Sequence, residues 1–96
     1  MDIGKAIKKL RKELTPKLTQ HEYAKIIGIT QAYLSQVETG KKKPSIEVLE
    51  KISKDSNTPL PIMFWFAIDE TDISEDKQEY FKLLKPSIDK MIESIL

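Results

Sequence analysis

The sequence has no cysteine, one histidine and three glycines among its 96 residues. Without cysteine there are no disulfides, no thiolate metal sites and no cysteine nucleophile. A reducing, cytoplasmic setting is the expected location. The one histidine, His21, has no second histidine or cysteine to converge with, so neither a metal site nor a histidine-based catalytic centre is expected. His21 reads as an exposed helix residue. There is also no Gly-rich phosphate loop, no nucleophile motif and no carboxylate pair in a distinctive context. The chain is therefore not expected to be an enzyme, nor to carry a cofactor. The longest apolar run, Ile62 to Ile68, is far short of the roughly 20 residues of a membrane span. The first residues form a mixed basic stretch with no long apolar segment, so no secretory leader is expected. No internal repeat and no low-complexity tract is visible.

What is present is an uneven charge on a small, core-forming chain. Hydrophobic residues make up 40% of the sequence, enough for one compact domain with an appended element. Net charge is only +1, yet residues 1–58 hold 12 Lys/Arg against 7 Asp/Glu and residues 59–96 hold 4 against 8. A basic front and an acidic tail imply that the front half meets a polyanion.

The central stretch runs from Thr19 to Thr39. Tyr23, Ala24 and Ile27 mark one face of a first helix, and Leu34 and Val37 one face of a second. Gly28 stands between them, where a left-handed residue turns the chain without a Cβ penalty. Thr19 and Thr30 each precede a helix and offer a hydroxyl to its free N–H groups, and Glu22 completes a capping box with Thr19. Ala24 allows close approach at the crossing. These features describe a helix-turn-helix.

On either side the pattern stays helical. Ile3, Ile7, Leu10 and Leu14 form an amphipathic first helix with Lys5, Lys8, Lys9 and Lys12 on its outer side, and Arg11 at the edge of the inward face. Pro16 pushes Thr15 out of helical geometry, so a loop follows. Gly40 reads as a helix stop, Ser45 as the N-cap of a fourth helix with Ile46, Leu49 and Ile52 inward, and Asn57 as its left-handed terminator. Pro59 and Pro61 frame the start of a fifth helix from Ile62 to about Ile68, apolar nearly all round. Asp72 with Glu75 is a candidate cap for the last helical region. Phe81, Leu84, Ile88, Met91 and Ile95 repeat in a heptad-like seam, interrupted by Pro86, which implies a kink or two shorter helices.

Residues 3 to 66 closely resemble the helix-turn-helix regulators of the phage-repressor and Cro-like XRE family. The matching features are Gln20, Ala24, Gly28, Ile29, Leu34 and Val37, the Val-Glu-x-Gly ending at Gly40, Lys43-Pro44-Ser45, and the Ile46/Leu49/Ile52 pattern. The resemblance implies an all-α fold: a five-helix lambda-repressor-like DNA-binding domain over residues 1–68, with one or two additional C-terminal helices in residues 69–96. It also implies an ion pair between Arg11 and Glu38 that locks the first helix onto the third.

The function it implies is sequence-specific binding of double-stranded DNA as a transcriptional regulator, specifically a repressor. Gln31, Ala32, Ser35 and Gln36 would face bases in the major groove, since glutamine can bond adenine and alanine can touch a thymine methyl. Gln20 at a helix N-terminus, Tyr33, Lys41, Lys42 and Lys43 would hold phosphates. The family commonly binds as a two-fold dimer, and Phe64, Trp65, Phe66, Phe81, Leu84, Ile88, Met91 and Ile95 offer a dimerisation surface. In the competing arrangement the tail folds back and covers the fifth helix of its own chain. The alternative function is a protein-interaction module, such as an antitoxin-like or adaptor subunit with a protein partner.

Overall fold

The structure, a computed structural model, describes residues 1–14 and 17–96, and the side chain of Leu14 is not described. The loop expected around Thr15 and Pro16 lies outside the described residues. All regular structure among the described residues is helical. Six α-helices follow in order: α1 (Ile3–Lys9), α2 (Gln20–Ile27), α3 (Gln31–Glu38), α4 (Ile46–Asp55), α5 (Leu60–Ala67) and α6 (Gln78–Glu93). A π turn, Leu10–Leu14, continues α1, and two short 3₁₀ turns, Glu70–Asp72 and Glu75–Lys77, lead into α6. None of these helices is long and apolar enough to cross a membrane.

The first five helices close around one core. Ala6, Ile7 and Leu10 from the first helical segment meet Tyr23, Ala24 and Ile27 of α2, Leu34 and Val37 of α3, Leu49 and Ile52 of α4, and Met63, Phe66 and Ala67 of α5. Local chemistry fixes where the helices begin. The hydroxyls of Thr19, Thr30 and Ser45 accept from the N–H groups of Glu22, Tyr33 and Val48, and the Glu22 carboxylate returns the favour to the Thr19 N–H. The ends are set by left-handed residues: Gly28 at φ 83°, Gly40 at φ 81° and Asn57 at φ 51°. After Asn57 the chain closes a Schellman motif, with the Thr58 N–H donating to Ser53 O and the Asn57 N–H to Lys54 O. Pro59 and Pro61 sit at the start of α5, as the sequence suggests, although the helix opens two residues earlier than expected.

Three expectations change. Ile46 is not inward but 63% exposed. Leu49, Ile52 and the half-buried Val48 define the buried face of α4, and at 100° per residue Ile46 lies roughly 110° round from its centre. Asp72 does not cap α6. Its carboxylate accepts from the Met1 amino group at 2.7 Å and from the Asp69 N–H at 3.0 Å, and α6 starts without a side-chain cap. Finally, of the two alternatives at Pro86, two shorter helices are not formed: α6 is one helix from Gln78 to Glu93 with Pro86 inside it. Pro86 is exposed.

Within the chain, α6 packs against α5. The Trp65 and Phe81 rings meet edge to face with centroids 6.2 Å apart, the Trp65 indole N–H donates to Asp89 at 2.7 Å, and Ile92 rests on the core. Lys85 Nζ lies 4.9 Å from the Trp65 ring centre. On α1, Lys9 bridges Glu13 and Glu93 at 2.8 Å each.

Candidate nucleic-acid interface

The geometry of α3 follows from which residues it must bury. Leu34, Val37 and Glu38 face inward. Gln31 and Ala32 are exposed and Ser35 and Gln36 half-buried. At 100° per residue these four share an arc of roughly 140° on the side away from the core. All four candidate base-reading residues thus lie on one outward strip, starting at the helix N-terminus.

The lysines beyond α3 are held in place by backbone. Gly40 takes the left-handed conformation, its N–H donates to Val37 O at 3.1 Å, and the Lys41 N–H donates to Gln36 O at 2.8 Å. This is a Schellman motif, in which the left-handed residue satisfies the last carbonyls of the helix. The Lys42 N–H also reaches Gln36 O, at 3.1 Å. Lys41, Lys42 and Lys43 are exposed. Lys42 Nζ stands 6.0 Å from the ring centre of the half-buried Tyr33, so Tyr33 and Lys42 form one cationic corner at the edge of the strip.

The expected Arg11–Glu38 pair is present and does more than join two helices. Arg11 Nε donates to Glu38 Oε2 and Nη2 to Glu38 Oε1, each at 2.8 Å, in a buried setting. Arg11 Nη1 also donates to Leu18 O at 2.9 Å, which anchors the residues just ahead of α2. Burial alone would raise the Glu38 carboxyl, but the hydrogen bonds from Arg11 and Gln20 outweigh it and hold the carboxyl below its usual range. The Arg11 guanidinium is correspondingly pushed up by its bond to Glu38.

Gln20 is the candidate phosphate ligand whose placement differs. Its amide Nε2 donates to Glu38 Oε1 at 3.1 Å, so the side chain is turned inward. What it presents toward an anion is the backbone of the first turn of α2. Gly4 is a residue that sequence reasoning missed. A Cβ there would come within 2.1 Å of Val37 O and 3.0 Å of Glu38 O. The bare backbone of α1 therefore rests directly on the last turn of the outward helix. Only an alignment or a structure could have flagged Gly4, because nothing local marks it.

The candidate dimerisation residues do not form one surface. Phe66 is buried in its own chain's core, Phe64, Trp65, Phe81 and Ile88 are half-buried, and Leu84, Met91 and Ile95 are 54, 67 and 76% exposed. Tyr80 and Leu83, absent from the expected set, are exposed beside them, at 67 and 75%. His21 is exposed. No cluster of acidic, histidine or cysteine side chains able to hold a metal occurs among the described residues.

The comparisons with known proteins agree with this geometry. The family model described as helix-turn-helix matches residues 7–61. The chain is 30% identical over 95 residues to the immunity repressor protein of Bacillus phage phi105, covering 99% of this chain and 62% of that protein. It is 41% identical over 61 residues to the control protein C.MunI of Mycoplasma sp, covering 64% of this chain and 81% of that protein. It is 46% identical over 55 residues to the antitoxin PezA of Streptococcus pneumoniae, covering 57% of this chain but only 34% of that protein. No solved structure gives a significant match. With its helix-turn-helix intact in sequence and in geometry, the chain belongs to the XRE-type helix-turn-helix family of DNA-binding regulators.

Proposed function

We propose that the chain is a sequence-specific transcriptional repressor that binds double-stranded DNA as a two-fold dimer. The observation that carries this reading is the outward strip Gln31, Ala32, Ser35 and Gln36, flanked by exposed lysines that the Schellman motif at Gly40 holds in position. In this reading α3 enters the major groove with its N-terminal end, and Gln31, Ala32, Ser35 and Gln36 meet base edges. Tyr33, Lys41, Lys42, Lys43 and the first turn of α2 at Gln20 hold the phosphates on either side. Residues 1–68 form the DNA-binding unit. Residues 69–96 carry the self-association surface, which is the exposed strip Tyr80, Leu83, Leu84, Met91 and Ile95 of α6. Two copies would set their recognition helices about 34 Å apart on one face of the duplex. Repression is supported by the match to a phage immunity repressor along nearly the whole chain. The antitoxin match covers only 34% of that protein, and so lends little support to a protein partner. A cytoplasmic location is consistent with this role.

The test is selection of bound duplexes from a random pool. A palindromic consensus with half-sites one helical turn apart is the expected result. Affinity should fall about a thousandfold or more between low and moderate salt if six or more phosphates are contacted. Binding that does not change with salt, or a pool that stays random, overturns the reading.

A further inference from the structure

Between α1, the end of α5 and the middle of α6 lies an open cleft of about 870 Å³. Its size is that of a small-molecule site; its rim is densely charged, with lysines and carboxylates interleaved, and its apolar surface comes from Phe66, Ala67, Ile68, Phe81 and Pro86. None of its lining residues belongs to α3 or to Lys41–Lys43. The floor is apolar, from Phe66, Phe81 and Pro86.

Lysines and carboxylates are nearly equal in number around this floor, but they are not equally engaged. The carboxylates all have partners: Glu13 pairs with Lys9, Glu70 with Lys82, Asp89 with Lys85 and the Trp65 indole, while Asp2 accepts from the Lys5 backbone N–H and Asp69 from the Thr71 N–H. Lys9 and Lys85 are themselves fixed, over the Phe66 ring at 5.4 Å and the Trp65 ring at 4.9 Å. By contrast Lys5, Lys8 and Lys12 line the cleft, are exposed, and make no ion pair among the described residues. Lys5 lies only within longer electrostatic reach of Asp69, and Lys8 of Glu38. Three ammonium groups at i, i+3 and i+7 therefore stand along one wall above an aromatic floor, with no carboxylate in contact.

We propose that this cleft binds a small organic anion with a flat apolar body, its acid group held by Lys5, Lys8 and Lys12 and its body laid on Phe81 and Pro86. The acid group gains charge-assisted hydrogen bonds and the body gains apolar burial and cation–π neighbours. This assigns the chain a second site, separate from its DNA surface.

The test uses 8-anilinonaphthalene-1-sulfonate, which has that chemistry, titrated into the full chain without DNA. One dye per chain is expected. Replacing the three lysines together (Lys5→Gln, Lys8→Gln, Lys12→Gln) should weaken binding by at least about tenfold, because each exposed contact is modest alone but all three are lost. The uncharged analogue N-phenyl-1-naphthylamine should bind correspondingly less. Leu83→Ser, on the exposed strip of α6 outside the cleft, should leave dye affinity unchanged. Circular dichroism and the urea midpoint check that each variant is folded. Binding that survives loss of the three lysines, or that disappears with Leu83→Ser, places the dye on the α6 strip and overturns the proposal. No saturable binding at all overturns it too. Because no DNA is present, the outcome is independent of the repressor reading.

Discussion

Arg11 and Glu38, 27 positions apart in sequence, meet through two parallel hydrogen bonds of 2.8 Å in a buried setting. Glu38 is the last residue of α3, so this pair fixes the angle at which the outward strip leaves the core. Removing one partner leaves the other buried and uncompensated. Arg11→Ala or Glu38→Ala should each cost roughly 3–5 kcal/mol in urea unfolding. The double variant should cost clearly less than the sum of the two, and simple additivity would show that the pair is not coupled.

The same carboxyl makes a pH prediction. Glu38 is held below its usual range in the folded state, so its contribution is complete above the unfolded value. It is lost as pH falls through the folded one. Glu22, Asp69 and Asp72 are also depressed, by the Thr19 N–H, by Thr71 and by the amino terminus respectively, and part of the acid sensitivity is theirs. The share of Glu38 is isolated by Glu38→Gln. Urea midpoints between about pH 6 and pH 3 should fall less steeply in that variant than in the parent. Parallel curves would mean that Glu38 does not titrate in this range.

Two glycines separate steric from backbone cost. At Gly4 the backbone is helical but an added Cβ meets Val37 O at 2.1 Å. At Gly40 the space is open but φ is 81°. Gly4→Ala should destabilise by about 1–3 kcal/mol or more and weaken DNA binding, since α1 must move off the end of α3. Gly40→Ala should cost about 1 kcal/mol and mainly disturb Lys41 and Lys42. Equal and small effects at both positions would contradict the close approach at Gly4.

At the DNA surface, Lys41→Ala should weaken binding to all sequences alike and reduce the salt slope by about 1. Gln31→Ala and Gln36→Ala should instead relax preference at particular bases. If both glutamine variants select the same consensus as the parent, α3 does not read bases as proposed.

For self-association, Leu83→Asp combined with Met91→Asp places two charges on the exposed strip of α6 without touching its packed side. Sedimentation should show a folded monomer at concentrations where the parent is a dimer, and binding to a palindromic site should weaken while binding to a single half-site does not. A parent chain that is monomeric at micromolar concentration without DNA removes the dimer from the proposal.

The helix-turn-helix was legible because its physics is local. The caps at Thr19, Thr30 and Ser45 and the left-handed stops at Gly28, Gly40 and Asn57 depend on residues a few positions apart. Arg11–Glu38 was reached through the family resemblance, since spacing alone could only place Arg11 at the edge of a face. What stayed hidden depends on distant packing. The inward turn of Gln20 needs Glu38 beside it, and the constraint on Gly4 needs the carbonyls of Val37 and Glu38 overhead. On α6 the heptad seam was correctly apolar but wrongly bounded. The apolar arc of that helix runs from Ile92 and Phe81 round to Leu83 and Tyr80, wider than α5 can cover. The docked edge and the exposed edge therefore cut through the predicted seam.

Trp65 is the only tryptophan in the chain, and it sits where α6 docks, with Phe81 against its ring, Asp89 on its indole nitrogen and Lys85 above it. Its emission therefore gauges the seating of the last helix, while circular dichroism is dominated by the first five. Followed through a urea titration, the two signals amount to separate clocks on one molecule. Coincident transitions mean that α6 and the helix-turn-helix melt as a single cooperative unit, whereas an earlier shift in Trp65 emission means that the tail lifts away from a still-folded domain.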